Sequence, residues 1–388
     1  MSYNSLLDND FYKFTMQYAA VKLYPDTKAK YAFINRGKHE FPNGFAEALT
    51  NRIKEMSQLT LTHAEKIYLK TTCPYLNSAY LDFLKGYRYD PSEVKVTQRG
   101  TDLEVKIEGY WYRTILWEVP ILSLISELYY QLTDQTRDSD EKLVETVRNK
   151  TKSYLDLGVK VAEFGTRRRH SYEVHKKVAI ALKEYGGESY VGSSNVHMAM
   201  ITGVKPIGTH AHEWFMYHGA RFGFKIANGI GLDRWVNAYH GDLGIALTDT
   251  YTTEVFFTQF NKKLAKLFDG VRHDSGDPIE FAYKTIAHYK KMGIDPMHKT
   301  IIFSDGLNLE KVRNIAEATQ GKIGISFGIG TNLTNDVGLK PMNIVLKLTS
   351  VAEPDLPWTN VVKLSDEKAK HTGDPKMIQL AKDILEIE

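Results

Sequence analysis

Val161–Glu173 reads VAEFGTRRRHSYE. The opening residues have the apolar character of a short buried strand. Gly165 and Thr166 interrupt it, Arg167, Arg168 and Arg169 follow, and a helical pattern begins at Tyr172. A strand that runs into three arginines delivers planar guanidinium groups to one edge of a sheet, where they suit phosphate or carboxylate. Taken alone, the three arginines would equally suit a solvated cationic turn. Repetition decides between the two readings, because the same order of strand, polar turn and helix recurs through the rest of the chain.

Strand patterns are expected at Val159–Phe164, Ser189–Val191, Lys205–Gly208, Gly244–Leu247, Gly270–His273, Thr300–Phe303, Ile323–Phe327 and Asn343–Leu348. Helical patterns separate nearly all of them, Tyr172–Tyr185 and Thr253–Phe268 being the clearest, and Pro278 stands where a first-turn proline belongs. Seven or eight βα units favour an α/β barrel, with an open doubly wound sheet as the alternative. Residues 1–115 differ in pattern. Lys28–Arg36, Glu93–Thr97 and Leu103–Ile107 read as strands of an antiparallel sheet, and Asn43–Gln58 as a helix. Pro120–Gln131 and Glu141–Leu157 read as two further helices.

The composition narrows the function classes. The chain has 388 residues, 43% of them hydrophobic and 25% charged, so one large and one smaller domain is the expectation. A net charge of +3 spread along the sequence does not suggest a nucleic-acid binder. No apolar run approaches the ~18 residues of a membrane span. MSYNSLLDNDFYKF lacks the basic and apolar regions of a secretion signal. Cys73 is the single cysteine, which fits a reducing cytoplasm.

In a parallel α/β protein the turns after each strand collect at one face, where ligands bind. Here those turns hold Arg167–Arg169, then Ser193–Asn195, then Thr209, His210, His212 and Glu213. Thr248–Thr250 follow, then Arg272–Asp277, Ser304–Gly306 and Gly328–Asn332. Ser, Asp, Asn and Gly are also ordinary turn and cap residues, so no single turn is decisive. SDGLN at 304–308 and SFGIGTN at 326–332 resemble the paired late loops with which barrels cradle a phosphate. His210 and His212 have no third partner at zinc-like spacing and no HExxH motif, so no metal site is expected. A strand-end histidine beside a helix start suits acid–base or nucleophilic chemistry, and Asp249 and Asp274 could orient it or hold Mg²⁺ on a polyphosphate.

A set of collinear segments carries a more specific signal. LLDNDFYKFTM, EFGTRRRHS, GSSNV, GTHAHEWF, GIALTDTYTT, GVRHDSGDP, FSDGLN, SFGIGTNLTND, PMNIVLKL and VVKLSDEKAKHTGD together resemble the bacterial nicotinate phosphoribosyltransferases over almost the whole chain. The resemblance implies an irregular α/β barrel, residues 126–345, with a smaller sheet-rich α+β domain built from residues 1–125 and 346–388. It implies transfer of the phosphoribosyl group from phosphoribosyl pyrophosphate (PRPP) to nicotinate in NAD biosynthesis, coupled to ATP hydrolysis through a phosphohistidine, with Mg²⁺ required. It also implies a homodimer with shared active sites.

Carried over by position, the phosphorylated histidine is His212, with Asp249 as its partner acid. Phe164 and Arg167 fall beside the pyridine ring and its carboxylate. Arg272 and Asp274 fall near the base and ribose. Ser304, Asp305, Gly306, Gly328, Gly330 and Thr331 fall on the 5′-phosphate loops. Tyr12 matches a ring-stacking tyrosine supplied from the neighbouring subunit, and the resemblance assigns His210 no role. Three rival readings fit the sequence less well. A nicotinamide-specific enzyme of the same fold would want an acid near GSSNV, where Ser194 and Asn195 stand. A barrel that only binds would not need His212, Asp249, Arg272 and Asp274 together. An aldolase or isomerase would want a strand-end lysine or glutamate that these turns do not offer.

Overall fold

A computed structural model describes residues 3–387. Its strands are β1 (Lys28–Asn35), β2 (Val94–Arg99), β3 (Asp102–Tyr110), β4 (Val161–Glu163), β5 (Tyr190–Ser193), β6 (Lys205–Pro206), β7 (Ile245–Leu247), β8 (Gly270–His273), β9 (Thr300–Phe303), β10 (Gly324–Ile329), β11 (Ile344–Ala352) and β12 (Thr359–Asn360). They form two sheets. One is antiparallel, in the order β12-β11-β1-β3-β2, and the other is parallel, in the order β6-β5-β4-β10-β9-β8-β7.

The parallel sheet is wrapped, because its two edges meet. β6 and β7 lie at opposite ends of the strand order, yet Thr209 Oγ1 donates to Ile245 O at 3.1 Å and Leu247 N donates to His210 Nε2 at 3.2 Å. Side chains after β6 thus make the contacts that a ladder would otherwise make. The barrel has seven strands among the described residues. The eighth expected strand, Asn343–Leu348, belongs elsewhere: β11 pairs antiparallel with β1, from Lys28 opposite Ala352 to Asn35 opposite Ile344. Its alternating burial, with Ile344, Leu346 and Leu348 buried, is that of a one-sided antiparallel strand. Pairing therefore draws the late chain into the sheet of the early chain.

Most elements lie where the periodicity places them. Helices span Phe45–Met56, Glu118–Leu132, Asp140–Asp156 and Tyr172–Tyr185, and Pro278 begins the helix Pro278–Lys291. The single helix expected over Thr253–Phe268 is two, Thr253–Gln259 and Lys262–Leu267. Asn261 caps the second, accepting from Leu264 N at 3.1 Å, and this local bond competes with continuing the first helix. No helix among the described residues is long and apolar enough to cross a membrane.

The three consecutive arginines have different fates. Arg169 does not serve the ligand face: it is fully buried and makes a two-pronged ion pair with Asp8, at 2.7 and 2.8 Å. Asn195 donates to the same carboxylate at 2.7 Å while capping the helix Val196–Thr202. Ser194 donates to Asp10 at 2.7 Å. The segment before the helix Phe11–Leu23 is thereby fastened across the ends of β4 and β5.

Breaking one partner of a buried ion pair leaves an uncompensated charge, which costs about 3–5 kcal/mol. Asp8→Ala is expected to lower the unfolding free energy by that amount in a denaturant titration. A loss under about 1 kcal/mol, the scale of exposed pairs, would show that this contact does not anchor the N-terminal segment.

Candidate active site

One cavity of about 590 Å³ opens at the C-terminal ends of the parallel strands. It is lined by Tyr12, Phe164, Arg167, His212, Arg272, Asp274, Ser304, Asp305, Gly306, Gly328, Gly330 and Thr331, among others. Of the residues expected at the site, only Asp249 is not on its wall. Asp249 is fully buried just behind His212, its Oδ1 3.7 Å from Nε2. β11 and the segment after β12 supply the opposite wall, including Leu346, Lys347, Lys363 and Lys370.

His212 begins the helix His212–Phe222 and is nearly buried. Its Nε2 lies 2.8 Å from Asp274 Oδ2 and 3.1 Å from Lys363 Nζ, and its Nδ1 lies 3.1 Å from Thr250 Oγ1. The carboxylate in hydrogen-bond contact is therefore Asp274, while Asp249, the acid the resemblance assigns, stands 3.7 Å from the same nitrogen. Asp249 is instead held by Ser275 at 2.7 Å and Ser365 at 3.1 Å, with Lys363 at 3.5 Å. Burial and the neighbouring Lys363 ammonium bring the His212 imidazole down to about 4, outweighing the pull of Asp249 and Asp274. His212 is thus neutral at physiological pH. Because its folded value is the lower one, the unfolded chain takes up this proton first. This site's contribution to stability is present above about pH 6.5 and is lost as the pH falls toward 4. Burial tends to raise both carboxyls. The His212 hydrogen bond and Arg272 bring Asp274 far below the ordinary range, and His212 and Lys363 bring Asp249 below it.

Arg272 lies at the end of β8. Its Nη1 donates to His210 O at 3.2 Å, and its Nη2 stands 4.0 Å from Asp274. His210 points away from the cavity. Its ring accepts the Leu247 amide and packs edge-on against Phe215 and Trp235, with centroids 5.1 and 4.7 Å away. It joins the two edges of the barrel and carries the backbone into His212. Burial, with Arg272 next, keeps it neutral.

The ring-sized end of the cavity is made by Tyr12, Phe164 and Arg167. Gly165 lets the turn after β4 pass close to the neighbouring chain, since a Cβ there would stand 1.7 Å from Thr334 Oγ1. A Cβ on Gly328 would stand 3.2 Å from the Phe164 ring, so the glycine in β10 leaves space for that ring. Arg167 faces Glu118 at 3.5 Å, and its guanidinium remains exposed enough to meet a ligand. Tyr12 lines the cavity of its own chain. The resemblance implies instead a tyrosine from the neighbouring subunit; within this chain the docking of residues 8–10 on β4 and β5 sets where the first turn of Phe11–Leu23 lies.

At the other end Ser304 donates to Asp274 Oδ1 at 2.7 Å and Asp305 pairs with Lys370 at 2.7 Å. Gly306 takes a left-handed backbone with φ +53°, and Asn308 caps the next helix. Gly330 precedes Thr331 at a helix start. The sequence reading missed Lys363, Lys370, Lys347 and Arg36, and it placed Thr250 on the ligand face without a role. VVKLSDEKAKHTGD was noticed as a segment, but no strand-end logic assigns its lysines, because they reach the cavity from outside the barrel.

Comparison with known proteins gives one family throughout the chain. Residues 159–388 match the model of the nicotinate phosphoribosyltransferase (NAPRTase) family, and residues 7–126 match that of the NAPRTase N-terminal domain. The chain is 60% identical over 382 residues to the nicotinate phosphoribosyltransferase of Chromohalobacter salexigens, covering 98% of each chain. It is 48% identical to that of Desulforapulum autotrophicum, again over 98% of each. Among solved structures, the nicotinate phosphoribosyltransferase of Porphyromonas gingivalis superposes with a TM-score of 0.97 at 45% identity, covering 99% of this chain and 100% of that one. The Vibrio cholerae enzyme gives 0.93 at 35% identity, with 99% and 94% covered. The chain belongs to the nicotinate phosphoribosyltransferase family.

Proposed function

We propose that this chain joins nicotinate to PRPP, releasing nicotinate mononucleotide and pyrophosphate, and couples the transfer to ATP hydrolysis through a phosphohistidine at His212. The observation that carries the reading is a single cavity with an aromatic, arginine-bearing end, a neutral buried histidine in its middle and two glycine turns at its far end. Its small-molecule substrates are nicotinate, PRPP and ATP, with Mg²⁺ arriving on the polyphosphates. Arg36, Arg167, Arg168, Arg272, Lys347, Lys363 and Lys370 make the lining rich in cations, which suits such anions. A cytoplasmic setting belongs to the same proposal. So does a homodimer in which each site uses its own Tyr12.

The pyridine nitrogen carries its own lone pair and needs no general base. It attacks C1′ of the ribose as the C1′–O bond breaks, and pyrophosphate leaves with the electron pair. Positioning dominates such a step. Tyr12 and Phe164 offer faces for the ring, and Arg167 offers a donor pair for the carboxylate. Ser304–Gly306 and Gly328–Thr331 suit the 5′-phosphate. Arg272 stands where charge develops between C1′ and the leaving group, so its worth lies in the transition state. In the ATP half-reaction a nitrogen of neutral His212 attacks the γ-phosphorus and ADP leaves.

Purified protein with Mg²⁺ and PRPP is expected to form nicotinate mononucleotide, and to do so faster with ATP. No product at any ATP level would refute the assignment. Arg167→Ala removes a charged hydrogen-bond partner worth about 1.5–3 kcal/mol, so kcat/KM for nicotinate should fall roughly 10- to 150-fold, mostly through KM. An equal loss with nicotinamide would count against the carboxylate contact.

Arg272→Ala is expected to cost on the order of 2–4 kcal/mol of transition-state stabilisation and to lower kcat at saturating substrate. A fall in kcat/KM below about tenfold, or ~1.4 kcal/mol, would remove Arg272 from that role.

His212→Asn should abolish acid-labile labelling from γ-labelled ATP, together with stimulation by ATP. Label that persists in this variant would move the phosphorylation site elsewhere.

A further inference from the structure

His212, Asp249 and Asp274 each offer a ligand-type atom within 4.8 Å of the others, the spacing at which proteins hold a divalent ion. Here the space is taken by an ammonium. Lys363 Nζ lies 3.1 Å from His212 Nε2 and 3.5 Å from Asp249 Oδ2, and its side chain is only 7% exposed. We propose that Lys363 is a catalytic residue of the phosphorylation step: its fixed ammonium balances the carboxylates around His212, so that the histidine reacts as a neutral imidazole, and the phosphoryl group it accepts meets a positive charge already in place. This inference rests on the phosphohistidine reading above.

The chain invests many contacts in placing this ammonium. Lys363 and Thr372 exchange backbone hydrogen bonds of 2.8 and 2.9 Å, which close a loop off the barrel. Leu364 N donates to Thr250 O at 2.8 Å. That bond fixes Lys363, on one nitrogen of the imidazole, relative to Thr250, on the other. Ser365 donates to Asp249, and the Asp366 carboxylate accepts from Thr253 N at 2.7 Å and from its hydroxyl at 2.6 Å. Glu367 accepts from Gly276 N at 3.0 Å. Consecutive residues thus grip the turns after β7 and β8, and the only cation among them points at His212.

The local charges balance. Asp249 comes from the turn after β7, Arg272 and Asp274 from the end of β8, and Lys363 from the late loop, while neutral His210 lies behind on the chain of His212 itself. Two carboxylates face two cations, and a proton on the imidazole would make the group net positive. Removing Lys363 would leave two carboxylates against one guanidinium, which raises the proton affinity of the imidazole against the burial that lowers it. Imidazolium has no lone pair for phosphorus. In the proposed step the lone pair of one His212 nitrogen forms the P–N bond, the bond from the γ-phosphorus to the bridging oxygen breaks, and ADP leaves with that electron pair. The proton on the second nitrogen stays there. Lys363 also takes over contact with the phosphoryl oxygens, as a metal ion would.

The test uses the full-length protein with isotope-labelled histidine, following the His212 ring by NMR against pH, and labelling with γ-labelled ATP and Mg²⁺. In the wild type His212 should stay neutral at pH 7 and titrate well below 6.5. In Lys363→Met it should titrate at least one unit higher, and the labelling rate at pH 7 should fall tenfold or more through the lost positive charge at the phosphoryl oxygens. Lys363→Arg should restore the low titration and much of the rate. Lys363→Gln should behave as Lys363→Met and replaces it if that variant does not fold. An unshifted titration overturns the proposal, even where labelling falls, because a merely structural lysine would do that. A shifted titration with labelling within threefold of wild type also overturns it. Wild-type protein that takes up no label refutes the phosphohistidine reading and with it any catalytic role for Lys363, whereas a failed titration in a labelled enzyme refutes Lys363 alone.

Discussion

The buried pair between Asp8 and Arg169 ties the molecule together. Both side chains are fully shielded from water. Removing two charges from water costs several kcal/mol each unless their remaining hydrogen-bonding capacity is filled. Asp8 meets both prongs of the guanidinium and also the Asn195 amide. The rings of Tyr3 and Tyr172 lie 5.2 and 5.5 Å from the guanidinium carbon. The arrangement fixes three distant parts of the chain, and therefore fixes where the helix Phe11–Leu23 enters. One turn later Lys13 meets Glu118 and Glu213, and Glu213 also accepts from Tyr31 at 2.7 Å and Trp111 at 2.9 Å. Glu213 is the neighbour of His212. Buried polar contacts thus hold this stretch at both ends, Asp8 on Arg169 and Lys13 on Glu213, beside Tyr12 and His212.

The second constraint is the seam of the barrel. A seven-stranded parallel sheet has two edges, and edge strands leave amides and carbonyls unpaired. Thr209 and His210 fill part of this seam. An imidazole serves there because one ring nitrogen accepts an amide while the apolar ring faces fill space against Phe215 and Trp235. A protonated ring could not accept the Leu247 amide, so the low basicity that burial gives His210 is required by its structural work. The two histidines, two residues apart, are both neutral, with burial the first cause at each; His210 is walled in by aromatic rings with Arg272 next, whereas His212 has the Lys363 ammonium set against two carboxylates.

These differences explain what could be read from the sequence. The parallel strands were legible because each is a short apolar run that ends in a polar turn, and the collinear segments placed the turn residues on one face. Periodicity could not separate Asn343–Leu348 from a barrel strand. Partner choice depends on a strand three hundred residues earlier, and Lys28–Asn35 exposes an edge that only β11 fills. Nor could RRR be divided. Arg167, Arg168 and Arg169 share one local context, and Arg169 is distinguished only by a carboxylate at position 8. Strand-end position offers His212 both Asp249 and Asp274, and only the resemblance picks Asp249. In the structure Asp274 takes the hydrogen bond, while Ser275 and Ser365 hold Asp249 behind. Lys363 lay in a recognised segment yet carried no role, since nothing local says that a loop beyond β12 folds back on the strand ends.

That return of the C-terminal segment explains why two sheets share one site. The parallel strands alone supply a shallow face of turns, open on one side. β11 is pulled from the barrel by its pairing with β1, and this sends the remaining chain over the cavity. Lys347 on β11 is half-buried in the lining, and desolvation there together with the nearby Lys363 brings its ammonium down to about 8. Lys370 reaches Asp305 from the same segment. The antiparallel sheet therefore supplies the second wall and much of the positive charge of the site. The result is an enclosed polar space in which charges interact more strongly than they would at a wet surface. A polyanionic substrate there meets cations from both sheets, and the barrel turns alone could not hold it from two sides.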